Sequence, residues 1–314
     1  MPEYLGIDSS NYTSSAALCR DGRVLVNAKQ FLPVEAGTLG LRQSDAVFHH
    51  VRNLPAVLEE ALAAASGISA VGVSCAPRDE NGSYMPCFLA GQAMARSIAA
   101  ALGIPLYTFS HQAGHIMAAL YSAGMRELAA SPFIAFHVSG GTTEALLVTP
   151  DAERIFACRK IAGSLDLKAG QAVDRVGRLL GLPFPAGPAL DRLAAGGRSP
   201  ERPRPTMKGA DFCLSGIENK CGVLLTAGHT PEEVARYCID SILAALDAAC
   251  QFLRKEYGSL PLLFAGGVMA NSVIRSSLGE KYGGHFAEPA FSSDNATGTA
   301  LLAEFRHLRR GITE

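Results

Sequence analysis

Phe133-Ile134-Ala135-Phe136-His137-Val138 runs into Ser139-Gly140-Gly141-Thr142-Thr143 and leaves through Ala145-Leu146-Leu147-Val148. Two apolar runs of strand length around a glycine pair predict a strand, a tight turn and a second strand. The N-terminus is written the same way. Tyr4-Leu5-Gly6-Ile7 leads into a hydroxyl- and amide-rich loop, Asp8 to Ser14, then Ser15-Ala16-Ala17-Leu18, with Val24-Leu25-Val26 behind an Asp21-Gly22 turn. Both halves open on strand, polar turn, strand, which points to one architecture used twice rather than to a sequence repeat.

Working outward, helical spacing of apolar residues predicts helices over Ala46–Ala65, Ala90–Leu102, Ala169–Leu180, Ala189–Ala195, Glu232–Lys255 and Ala296–Arg309. Strands are expected at Ala70–Ser74, Pro105–Tyr107 and Pro261–Ala265. Strands alternating with helices that stop at glycine are the grammar of an α/β fold. The Arg198–Pro205 stretch, with three Pro and three Arg, reads as a loop and not a domain linker.

Composition narrows the function classes. The 314 residues carry 28 Lys and Arg against 29 Asp and Glu, a net charge of −1. Bulk charge therefore does not hold this chain to nucleic acid, although a local basic patch remains open. Hydrophobic residues make up 48% and mean hydropathy is +0.16, enough for a large core. The eight Cys form no C-x-x-C pair and read as reduced, mostly buried thiols of a cytoplasmic protein. No signal peptide is expected from the first residues, and Gly103 and Pro105 interrupt the charge-free Ser97–Met125 stretch, so no membrane span is expected.

Four patterns carry chemistry. Ser139-Gly140-Gly141-Thr142-Thr143 offers close backbone N–H groups and hydroxyls to a phosphate; the alternative is an ordinary glycine hairpin. Ala265-Gly266-Gly267 through Asn271 follows a buried strand and precedes a helix. A nucleotide can lie against such a turn, with Asn271 bonding to it, or Asn271 serves only as an N-cap. His111-x-x-x-His115 is sharper: on a helix, the two imidazoles share a face with Cβ atoms about 5–6 Å apart. Both then reach one metal at about 2.0–2.1 Å. Asp294, in a polar turn before the last helix, is the candidate third ligand, or else an N-cap. Two His and one carboxylate leave open coordination positions, as in reactive iron or zinc sites. Asp174 and Asp191, on consecutive helices, suit ribose hydroxyls or are solvated helical charges.

Taken together these pieces resemble the TsaD/Gcp family of tRNA threonylcarbamoyltransferases. The shared elements are His111-x-x-x-His115, Ser139-Gly140-Gly141-Thr142, Ala172-Val173-Asp174-Arg175 on to Leu180-Gly181-Leu182-Pro183-Phe184-Pro185, and Asp211-Phe212-Cys213-Leu214-Ser215-Gly216. Ala265-Gly266-Gly267 through Asn271 and Asp294-Asn295-Ala296 complete the set. The resemblance implies two duplicated α/β lobes of the actin, Hsp70 and sugar-kinase kind with a nucleotide cleft between them. The first lobe is expected over 1–108, with the helix of about 296–314 packing back on it, and the second over 109–295.

By position, the resemblance implies metal ligands at His111, His115 and Asp294, with iron favoured and zinc the alternative. It implies contacts to ATP, AMP or threonylcarbamoyl-adenylate at His137, Val138, Ser139, Gly140, Gly141, Asp174, Gly187, Asp191 and Asn271. The reaction implied moves threonylcarbamoyl from its adenylate to N6 of adenosine 37 in tRNA. No catalytic side chain is assigned beyond the metal, with Asp8 the candidate. The implied partners are tRNA, a smaller homologous subunit and a P-loop ATPase.

The chain departs from the family at specific points. Loop acids become Tyr12 and Thr13, the Gly-Pro-Gly-Leu turn becomes Ala76–Pro86, and Asp-Asp-Ala becomes Asp166-Leu167-Lys168. A Glu becomes Gln171, a Gly becomes Ala186, and a basic position is Glu218. Such departures keep two alternatives in view: a paralogous carbamoyl-type transferase acting on a small molecule, and a non-catalytic nucleotide-binding partner. A metalloprotease is excluded because no glutamate lies between the paired histidines. A tRNA enzyme is expected to carry a basic surface, for which Arg198, Arg202, Arg204 and Lys208 are candidates.

Overall fold

The run at Tyr4 becomes β1 (Glu3–Asp8), a strand buried at every position and therefore central in its sheet. The structure, a computed structural model, describes residues 1–10, 12–33, 41–291 and 296–313. It divides into two units: Met1–Ser131 with Thr149–Cys158 and Ala290–Glu314, and Pro132–Val148 with Arg159–Pro289.

In the first unit β1 pairs antiparallel with β2 (Thr13–Arg20), and β2 with β3 (Arg23–Phe31). The turn between β2 and β3 places both Asp21 and Gly22 at positive φ, 49° and 67°, as a two-residue hairpin turn requires. Then follow α1 (Gln43–Leu62), β4 (Ile68–Ala76), α2 (Phe88–Leu102), β5 (Leu106–Ser110) and α3 (His111–Ser122). β4 runs parallel to β1 and β5 parallel to β4, giving the order β3-β2-β1-β4-β5.

The second unit repeats this plan. Its elements are β6 (Phe133–Val138), most of β7 (Thr143–Asp151) and of β8 (Ile155–Gly163), whose joined ends over Thr149–Cys158 are counted with the first unit, α4 (Ala169–Leu179), α5 (Gly187–Gly196), β9 (Thr206–Lys208) and β10 (Asp211–Cys213). α6 (Gly216–Thr226), α7 (Pro231–Tyr257), β11 (Leu262–Ala265), α8 (Ser272–Tyr282) and β12 (His285–Phe286) follow. β6 pairs antiparallel with β7 and parallel with β11, and β11 parallel with β12. The order β8-β7-β6-β11-β12 matches the first sheet strand for strand, so the turns that follow β1 and β6 occupy equivalent places. Phe136, Phe264 and Phe286 stack at 5.1 and 4.9 Å between ring centroids. The apolar face of α7, including Ile239, Ile242, Leu246 and Leu253, packs into the same core. Each such side chain contributes about 1.5–3 kcal/mol on burial.

The last helix, α9 (Thr297–Thr313), belongs to the first unit. A Cβ at Gly298 would lie 1.8 Å from the Gly114 carbonyl on α3, so the two helices meet backbone to backbone. That contact explains where the observed division differs from the expected 108/109 boundary. α3, at the start of the expected second lobe, packs on α9 and stays with the first sheet. The pattern also left β8, β9, β10, α6 and β12 unpredicted. β12 is two residues and β9 and β10 three each, too short for a period to register. Five of the eight cysteines are buried. Among the described residues no helix is long and apolar enough to cross a membrane.

Candidate functional site

The glycine loop after β6 closes on itself. Ser139 N–H donates to the Thr142 carbonyl at 2.6 Å, and Thr142 N–H donates to Ser139 Oγ at 3.0 Å. The first turn of α4 is docked against it: Ala169 N–H donates to Thr143 Oγ1 at 2.9 Å and Gly170 N–H to the Ser139 carbonyl at 3.1 Å. A Cβ at Gly170 would stand 2.6 Å from Gly140 N, so only glycine allows this approach. Two of the helix's orphan donors are thereby spent on the loop.

After β11, Gly266 adopts φ 102° where a Cβ would meet the Val138 carbonyl at 2.3 Å. The chain then makes a short turn, Gly267–Ala270, and enters α8 with Asn271 as its N-cap. Asn271 Oδ1 accepts from Ile274 N–H at 3.1 Å, while its amide nitrogen donates to Asp191 Oδ1 at 2.7 Å. Asp191 Oδ1 also accepts from Ser272 Oγ at 2.9 Å. Asp174 Oδ1 accepts from Ala186 N–H at 2.9 Å, which ties α4 to the turn before α5. Both carboxylates keep Oδ2 without a hydrogen bond among the described residues.

These elements enclose a cavity of about 550 Å³ within the second unit. Gly140, Asp174, Gly187, Asp191 and Asn271 line it, together with Gly170, Gly267, Val173, Val268 and Ile239. Its size suits a small cofactor. Apolar side chains suit a flat base, spare carboxylate oxygens accept from hydroxyls, and bare glycine backbone admits an anion. Of the other expected contacts, Val138 is buried in β6, and His137 pairs with Glu144 and Ala265 in the sheet. Ser139 spends its hydroxyl on its own turn, and Gly141 does not line the cavity. Sequence reading missed Gly170, Val173 and Ile239. Gly170, beside a predicted helix start, was the one carrying a signal.

In the first unit the histidine pair is helical. Ser110 caps α3 by accepting from Ala113 N–H at 3.1 Å, and this sets His111 and His115 on adjacent turns. Their rings lie edge to face with centroids 4.2 Å apart. Asp8, wholly buried at the end of β1, brings Oδ1 to 3.3 Å from His111 Nδ1 and accepts from Ser10 Oγ at 2.5 Å on Oδ2. An ionised carboxylate here accepts a hydrogen bond and favours the imidazole tautomer with its proton on Nδ1. Two neighbouring imidazoles are donors of the kind a divalent ion takes. Among the described residues no group of three metal-type side chains gathers, and Asp294 lies outside the described residues.

The departures have local causes. Thr13 opens β2 and is buried there, and Leu167 is buried in the core, positions that disfavour a charge. Glu218 receives Arg175 at 3.3 Å and Arg178 at 3.6 Å from α4. Asp166 accepts from Leu214 N–H at 2.8 Å and Ser215 Oγ at 2.6 Å, pinning the β10–α6 turn to the loop before α4. Burial opposes its ionisation, but the Ser215, Leu214 and Leu167 donors outweigh that and hold its carboxyl well below the usual range. In the Ala76–Pro86 loop, Asp79 Oδ2 accepts from Ser110 Oγ at 3.1 Å, so the rebuilt turn braces the start of the histidine helix.

Comparison with known proteins shows the family of the chain. The family model for TsaD, tRNA N6-adenosine threonylcarbamoyltransferase, matches residues 37–301. A tRNA N6-adenosine threonylcarbamoyltransferase of Geotalea uraniireducens is 33% identical over 320 residues, covering 96% of this chain and 90% of that protein. A counterpart in Thermus thermophilus is 34% identical over 311 residues, covering 97% and 93%. The solved ROK hexokinase of Thermus thermophilus superposes with a TM-score of 0.51 at 15% identity, over 98% of this chain and 99% of that one, a likeness of fold alone.

Proposed function

The chain belongs to the tRNA N6-adenosine threonylcarbamoyltransferase family, and from that premise we propose how its residues serve the transfer. The observation that carries the reading is the glycine-walled cavity with two half-engaged carboxylates. It supports binding of the adenylate half of threonylcarbamoyl-AMP, with Asp174 and Asp191 accepting from the ribose hydroxyls and Gly140 and Gly267 beside the phosphate. His137, Val138, Ser139 and Gly141 belong to the strand and turn that carry Gly140, and in this reading contribute backbone near the phosphate, while Gly187 and Asn271 flank Asp191. Holding the reactant in one pose supplies much of the rate for a weak amine nucleophile. In the transfer, N6 of the acceptor adenosine bonds to the carbamoyl carbon, the carbon–oxygen bond to phosphate breaks, AMP leaves, and N6 loses a proton.

His111 and His115, with Asp294, are the proposed holders of a divalent metal. Bound there, it would supply Lewis-acid charge stabilisation to carbonyl or phosphate oxygen. Asp8 fixes the tautomer of His111 and is a positioning residue in this reading. Two imidazoles and a carboxylate suit iron and zinc alike; iron is proposed on the family resemblance. Partnership with a smaller homologous subunit and a P-loop ATPase, and a cytoplasmic location, are proposed on the same ground.

The test supplies tRNA, threonine, bicarbonate, ATP and the partner proteins, and measures threonylcarbamoyladenosine in the digested tRNA. Product that disappears with Asp191→Ala supports the reading. Normal nucleotide and metal binding without product overturns it; turnover of carbamoyl-adenylate without tRNA would then favour a small-molecule transferase, and no turnover a non-catalytic nucleotide-binding partner.

A further inference from the structure

A second groove, about 670 Å³ in volume, lies on the second unit between the Gly197–Pro203 stretch, α7 and α8. Three acids line it and each is already held: Glu201 by Lys220 at 2.8 Å, Asp240 by Arg236 at 2.9 Å, and Asp247 by Lys281 at 2.6 Å. Arg198 and Arg202 line the same groove, exposed, with no carboxylate partner among the described residues. The groove therefore carries two uncompensated guanidiniums.

Their backbone is stiff. Pro200, Pro203 and Pro205 fix φ, Ser199 Oγ donates to the Glu201 carbonyl at 2.8 Å, and the stretch ends in the β9–β10 hairpin. Cations on a pre-ordered strap lose little entropy when a ligand arrives. The groove also has a fixed relation to the cavity. α5 starts at Gly187, in the cavity wall, and ends at Gly196, next to the first groove residue. Ten helical residues span about 15 Å.

We propose that this groove docks the phosphate backbone of tRNA, with Arg198 and Arg202 as the contacts; this rests on the reading of tRNA as acceptor. Guanidinium forks match phosphate oxygens, and because each groove acid is held by a basic neighbour, the two arginines are the charge left to meet a phosphate. The separation from the cavity lets a backbone be gripped while a base one helix-length away is presented for modification. Arg204 and Lys208, expected in the same patch, do not line the groove.

The test measures tRNA affinity of the full chain with its partner proteins between 50 and 200 mM salt. The double variant Arg198→Ala/Arg202→Ala is expected to bind about tenfold more weakly, with a log–log salt slope shallower by about 2. Arg198→Lys/Arg202→Lys is expected to keep the slope, and AMP binding is expected to stay at the wild-type value in both. Wild-type tRNA affinity and slope in the alanine pair would overturn the proposal. So would normal tRNA binding with loss of a partner protein on gel filtration, which would make the groove a protein interface. A wild-type chain that binds AMP yet never modifies tRNA fails at the functional reading, and the docking proposal falls with it.

Discussion

Replacing Gly170 by Ala separates the glycine loop's structural and ligand-binding duties, because Gly140→Ala provides its counterpart. The Gly170 methyl would sit 2.6, 2.7 and 2.9 Å from backbone atoms of Gly140 and Ser139. Those atoms must retreat by roughly 0.5–0.8 Å to reach ordinary contact. Overpacking of this kind costs about 1–3 kcal/mol, while Ala in place of a helical Gly returns up to about 1. With three backbone atoms inside 3.0 Å the overpacking is the larger of the two, leaving a net loss of about 1 kcal/mol, at most about 2, and a Tm lower by roughly 3 °C. At Gly140 a Cβ meets nothing within 4 Å, yet the residue lines the cavity. Gly140→Ala is expected to melt within about 0.5 kcal/mol of wild type but bind AMP at least about tenfold more weakly. Differential scanning fluorimetry and titration calorimetry on both variants read the two quantities. A Gly170→Ala chain as stable as wild type would refute the steric argument. Undiminished AMP binding by Gly140→Ala would refute the placement of the phosphate.

Asp191→Asn keeps an oxygen for the Asn271 and Ser272 donors but replaces the spare one with NH₂. Stability should hold while AMP affinity falls about tenfold and 2′-deoxy-AMP affinity changes less; equal losses would remove the ribose assignment. His111→Ala and His115→Ala should each lower bound metal sharply by elemental analysis, and unchanged content in both would defeat the ligand pair. Glu3 is buried, which opposes ionisation, yet donors from Ser66, Arg20 and Gly67 outweigh that and bring its pKa down to about 2. A depressed folded pKa contributes stability above the unfolded value near 4.5 and loses it as pH falls through about 2. The stability gap between wild type and Glu3→Gln in urea melts should therefore be constant near pH 7 and close between pH 4.5 and 2. A gap independent of pH would mean that Glu3 acts through packing alone.

The strands around Tyr4 and Phe136, the long α7 and the histidine pair were legible along the chain because each is written in consecutive or i,i+4 residues. Local patterning carries such information, since backbone period alone decides which side chains share a face. Pairing partners could not be read the same way. That β1 and β6 each sit third in a five-strand sheet, and that α3 stays with the first unit through its backbone contact with Gly298, depends on residues 66 (Tyr4 and Ala70), 128 (Ile134 and Leu262) and 184 (Gly114 and Gly298) positions apart. The cavity has the same origin. Asp174, Asp191 and Asn271 are unremarkable helical and capping residues in isolation, and become one site because the turn after β11 carries Asn271 onto Asp191, 80 positions earlier. Asp191 is engaged at one oxygen and spare at the other only in that packing, and hydrogen-bond competition among distant groups leaves no trace in local sequence.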